Sequence, residues 1–193
     1  MSKKAGALVI VLTGLVWGVT EIFLGDVFYK FHVPFRSATL TGIGLCLLVI
    51  GRLAFDRPGS SLAAGVLSGL IRCLVPKVYI CHAVAIAMEA CAMDLTWSAL
   101  KAGERQTLRR AWLSGAVAIY SGLLAFGVVS LYWFKFGKWV AGGLPGVGLY
   151  ALRSGSFAVA VFIILSPIAV WAGRSISARI PRLAEGGVRS REQ

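Results

Sequence analysis

The chain has 193 residues, 58% hydrophobic and 15% charged, with a mean hydropathy of +0.79. A soluble domain carries roughly 25% charged residues, so this composition excludes an ordinary soluble protein and points to a single compact membrane domain that crosses the bilayer several times. The net charge of +12 would suit nucleic acid, but the basic residues fall in short gaps between apolar runs and in the tail, as membrane flanks do.

Residues 5–25, AGALVIVLTGLVWGVTEIFLG, follow Lys3 and Lys4 like the start of a signal peptide. The apolar run is long enough to span and no small-x-small cleavage site follows, which predicts a retained first helix. Gly14 and Gly18 form a G-x-x-x-G pair suited to close helix contact. Glu21 lies near the apolar end, and Asp26 follows about a turn later on a similar face. The two carboxylates are either solvated at the interface or turned toward a site.

Residues 26–37, DVFYKFHVPFRS, combine four aromatic rings with Lys30, His32 and Arg36. They read as an aromatic and basic anchoring belt, or as a lid whose Tyr29, His32 and Arg36 touch a small ligand. Residues 38–55 predict a second span. Residues 60–75 predict a short third span with a small pair at Gly65 and Gly69, closed by Pro76. Arg72, in its last turn, either snorkels to headgroups or points inward at an anion.

The fourth span, residues 79–100, is the most informative stretch. YICHAVAIAMEACAMDLTWSAL places His82, Glu89 and Asp94 at membrane depth, where unpaired polar groups are costly. At about 100° per residue, Glu89 and Met93 fall within about 20° of His82, and Ala85 and Thr96 extend that lining face. A second face, Ala83, Ala87, Ala90, Asp94 and Ser98, is small enough for close packing. His82 and Glu89 are separated by about 10 Å of rise, too far for this helix alone to hold one metal ion.

Residues 101–110 form a basic loop, and 111–134 a fifth span with Tyr120 as its mid-depth polar group. The glycine-rich stretch KFGKWVAGGLPGVGLYALRSG, residues 135–155, is too irregular to cross lipid and too apolar for an exposed loop. It is expected to dip over the bundle, sheltered by protein. Residues 156–173 form the sixth span, with a kink expected at Pro167. The domain is therefore 1–175, with a basic tail over 176–193. The four cysteines fall in or at the ends of apolar runs without C-x-x-C spacing, which predicts small buried hydrophobes; pairing of Cys73 with Cys81 stays open.

The expected fold is all-α, a bundle of six transmembrane helices in the cell membrane. With both termini on one side, that side collects 13 Lys and Arg against 7 on the other, which predicts cytoplasmic termini. Glu21, Asp26, the aromatic loop, His82 and the glycine-rich stretch then gather on the outer face.

Six short helices, inside termini, an aromatic first outer loop and the run A-G-V-L-S-G-L-I-R-C-L-V-P followed by H-A-V-A-I-A-M-E-A, within residues 64–90, resemble the S components of energy-coupling factor transporters. These are small membrane subunits that capture a vitamin or similar micronutrient. The resemblance implies a non-catalytic transport subunit without a cofactor of its own. Its partners would be a transmembrane coupling subunit and two ATPases, consistent with the lack of a G-x-x-x-x-G-K-[ST] motif here. It implies capture from the outer face by the first loop and helices four to six: Tyr29, His32 and Arg36 as lid contacts, Glu89 and His82 as wall contacts, and Lys138 or Trp139 from the last outer loop. Members of the group dock the coupling subunit through alanines spaced by four on the first helix. This chain has Gly14 and Gly18 there, with only Ala7 nearer the start. It also lacks the amino-terminal histidine arrangement of the nickel and cobalt members, so a metal cargo is not expected.

Two other classes compete. A membrane-embedded enzyme would use His82, Glu89 or Asp94, but the sequence offers two histidines and no H-E-x-x-H or paired aspartates. A structural or assembly subunit of a larger complex would need little more than the glycine pairs.

Overall fold

The structure, a computed structural model, describes residues 3–75, 80–100 and 106–189, without the side chains of residues 3, 4, 138 and 180–189. The described residues form six α-helices in sequence: α1 (Lys3–Lys30), α2 (Arg36–Ala54), α3 (Ser60–Cys73), α4 (Ile80–Ala99), α5 (Thr107–Tyr132) and α6 (Gly137–Arg189). All but α3 are long and apolar enough to cross a membrane, which is the architecture of a multi-pass membrane protein. Side chains such as Leu8, Leu12, Val19 and Phe23 on α1, and Ile164, Ile168 and Trp171 on α6, remain exposed. An apolar solvent is the natural cover for so extensive a greasy surface.

The core is assembled around Trp17, Leu45, Leu48, Val49, Ile86, Met93, Trp97, Ile119 and Phe162, all buried. Close approach is set by small residues. A Cβ on Gly14 would lie 2.7 Å from the Ala64 carbonyl oxygen of α3, and Gly18 faces Ile71 of the same helix. Gly65 and Gly69 meet Ala90 and Ala83 of α4. The small face read on α4 is thus the face on which α3 packs, with Ala87 half-buried between them in sequence. Tyr120 bonds Ser156 across α5 and α6 at 3.1 Å.

Several sequence boundaries shift. The first helix continues five residues beyond Gly25, so the connection to α2 shrinks to residues 31–35. His32 and Phe35 both adopt left-handed backbone there, each with φ of 52°. Glycine-rich residues 137–155 are helical and not an irregular cap. Their one departure from helical dihedrals is Gly143, with φ 56° and ψ −160°. That conformation is open to glycine and closed to a residue with a Cβ. The interruption of α6 therefore lies at Gly143; Pro167 keeps helical dihedrals. Of the cysteines, all four are free, and Cys73 is exposed, contrary to the buried reading.

At 14 residues, α3 is about 21 Å long, against about 30 Å of hydrocarbon. Arg72, in its last turn, borders a space inside the bundle at the end where α1 passes into α2.

A candidate small-molecule site at the α1–α2 end

That space is a cavity of about 230 Å³ reached by every helix. Glu21, Asp26 and Tyr29 come from α1, Arg36 and Thr41 from α2, and Arg72 from α3; His82 and Glu89 come from α4, Phe126 from α5 and Tyr150 from α6. A wider vestibule of about 840 Å³ adjoins it and shares Tyr29, Arg36, Ser37 and Tyr150 as walls. The vestibule adds His32 and Phe35 from the connection and Arg153 from α6.

Glu89 forms the deepest polar point and is 3% exposed. Its Oε1 accepts a hydrogen bond from Thr41 Oγ1 at 3.3 Å. The α5 backbone passes close behind it: a Cβ on Gly122 would collide with Glu89 Cγ and lie 2.5 Å from Oε1. Glycine at 122 thus makes room for the carboxylate. Glu21 and Arg72 line the same cavity as Glu89. Neither glutamate has a cation within ion-pair distance among the described residues. For Glu89, which is buried, the lack of such a partner is costly, and a ligand or a proton relieves it.

The apolar wall is an aromatic stack. Phe126 packs edge-on to His82 with centroids 4.9 Å apart and lies 6.2 Å from Tyr150. At the mouth, the Arg36 guanidinium sits 4.8 Å above the Tyr29 ring, and Phe35 stacks on Phe157 at 4.9 Å. Aromatic surface with a few convergent polar groups is the usual make-up of a small-molecule pocket.

Of the residues singled out from sequence, Glu21, Asp26, Tyr29, Arg36, His82 and Glu89 line the cavity, and His32 lines the vestibule. Arg72, left open between two orientations, points inward. Trp139 is placed differently from the ligand contact foreseen. It is buried behind the wall, edge-on to Tyr150 at 4.9 Å, and borders neither space. The Lys138 side chain lies outside the described ones. Thr41, Phe126, Tyr150 and Arg153 had no signal in sequence, since each is a common residue type on an apolar helix.

Asp94 separates from its helix neighbours entirely. At the opposite end of the bundle it pairs with Arg52, Oδ1 to Nη1 at 2.7 Å, and its Oδ2 accepts the Gly59 amide. Arg52 also reaches Asp56 at 3.2 Å, Ser60 Oγ at 2.8 Å and Ser98 Oγ at 2.7 Å. Trp97 Nε1 donates to Asp56, and Arg110 stacks over the Trp97 ring. This network ties α2, α4 and the start of α3 together, with α5 joined through Arg110. It is a clamp and no part of the cavity.

No group of three or more His, Cys, Asp or Glu able to hold a metal ion occurs among the described residues. Comparison with known proteins gives no match to a family model, to a curated protein or to a solved structure, so the functional reading rests on the chemistry of the cavity.

Proposed function

We propose that the chain is the substrate-capturing subunit of an ATP-driven micronutrient importer, of the S-component kind that the sequence resembles. In this reading six helices span the cell membrane, α3 being the short one, and both termini are cytoplasmic. The excess of basic residues at the terminal side supports that orientation. The cavity then faces outward, and the tight α1–α2 connection, with Tyr29, His32 and Arg36, forms its rim. The chain carries no nucleotide motif, so energy would come from two ATPase partners acting through a transmembrane coupling subunit.

The observation that carries the reading is the cavity itself: charged and aromatic groups from six helices converge on one space between apolar helices, where such groups persist when they have a use. Mass spectrometry of the detergent-solubilised protein tests it. A small molecule should copurify, and adding that molecule back to stripped protein should raise its unfolding temperature. An empty protein that no vitamin or similar micronutrient stabilises would refute it.

A further inference from the structure

Charge is unevenly distributed along the path into the protein. The inner cavity is lined by three carboxylates, Glu21, Asp26 and Glu89, against two guanidiniums, Arg36 and Arg72. The vestibule is lined by two guanidiniums, Arg36 and Arg153, and by no carboxylate. The path therefore runs from a basic mouth to an acidic floor. At the floor, the Glu89 carboxylate is almost fully buried and accepts one hydrogen bond, from Thr41. Among the described residues no hydrogen bond reaches its second oxygen, and the carboxylate lines the cavity.

A carboxylate so placed calls for N–H donors with positive charge, because a charge-assisted bond offsets desolvation where a neutral one does not. The size of the inner space sets a second condition. At 230 Å³ it holds the volume of about eight waters, which suits one ring and short substituents. Phe126, Tyr150 and Tyr29 line the space and supply aromatic surface for such a ring.

We propose that the site takes a single-ring zwitterion in one orientation, with the cationic N–H group between Glu21 and Glu89 and the anionic group toward Arg36 and Arg153 at the mouth. The inference rests on the capture reading and narrows it to a substrate class. The basic mouth draws the anionic end, which trails while the cation moves to the floor.

The test uses three matched single-ring probes on the full chain in detergent: benzylamine, benzoate and 4-(aminomethyl)benzoate, with affinity read by calorimetry and by unfolding temperature. The expected order of affinity is 4-(aminomethyl)benzoate, then benzylamine, then benzoate. Glu89→Gln should weaken both amines by at least about tenfold without weakening benzoate, and Glu21→Gln serves as the second floor variant should the first fold poorly. Arg36→Gln combined with Arg153→Gln should shrink the advantage of 4-(aminomethyl)benzoate over benzylamine.

Benzoate binding as tightly as benzylamine, or amine binding indifferent to both floor variants, would overturn the orientation while leaving capture intact. Should none of the probes bind, the charge of a copurifying molecule decides: a zwitterion sustains the proposal and an anion or neutral molecule overturns it. No binding and no copurifying molecule would bring down the capture reading and this one with it.

Discussion

The Arg52 clamp gives the sharpest prediction, because two aspartates on one guanidinium differ in burial. Arg52 is 2% exposed. Asp94 is buried against it at 2.7 Å, whereas the Asp56 side chain, at 3.2 Å, is 53% exposed. Asp94→Ala removes the buried counter-charge and the acceptor of the Gly59 amide, leaving the guanidinium with a solvated partner, two serine hydroxyls and the Arg57 carbonyl. Loss of one member of a buried ion pair costs about 3–5 kcal/mol. Asp56→Ala removes two half-solvated pairs, to Arg52 and to Arg110 at 3.5 Å, each worth about 0–1 kcal/mol, and the bond from Trp97 Nε1, worth about 1 kcal/mol. Asp94→Ala should therefore cost more than Asp56→Ala, by about 2 kcal/mol at mid-range, in reversible unfolding followed by circular dichroism in mixed micelles of mild detergent and sodium dodecyl sulfate. Arg52→Met combined with Asp94→Leu should recover most of the loss, since an apolar pair of similar bulk needs no charge compensation. Equal costs for the two aspartates, or a cost below about 1 kcal/mol for Asp94→Ala, would show that Arg52 is not held as described.

Other consequences follow from the cavity and the helix contacts. Glu89→Gln should leave unfolding stability unchanged or raise it by about 1 kcal/mol, since it removes a buried carboxyl that has no cation within ion-pair distance among the described residues; a clear loss of stability in the same micelle assay would contradict the absence of a cationic partner. Gly122→Ala should displace the Glu89 side chain, costing about 1–3 kcal/mol and abolishing copurification of any bound molecule. Retention of both would show that α5 does not press on the carboxylate. Gly65→Val should separate α3 from α4 and lower stability by more than about 2 kcal/mol, whereas Gly146→Ala, with open space where its Cβ would sit, should change it by under about 0.5 kcal/mol.

Sequence alone was enough for the all-helical plan, because runs of about 20 apolar residues bounded by basic gaps admit few other structures in lipid. It was enough, too, for the two faces of α4. Helical period places Glu89 near His82, and both reach the cavity; it places Ala83 and Ala90 together, and α3 packs on them. Helical period also set Glu89 on the lining face and Asp94 on the small packing face, but not the partner each would meet. They are five residues apart in one apolar run, Glu89 at its middle and Asp94 nearer its end. What their faces meet lies on other helices: Arg52 at the end of α2 beside one, and Thr41, Gly122 and the cavity beside the other. Glycine content alone suggested irregular backbone over residues 135–155, while neighbouring helices hold that stretch helical and confine the break to Gly143. Local pattern decides which residues share a face, because it is fixed by 3.6 residues per turn. Which charge a face meets is fixed by residues 40 or more positions away, and only the packed bundle brings them together.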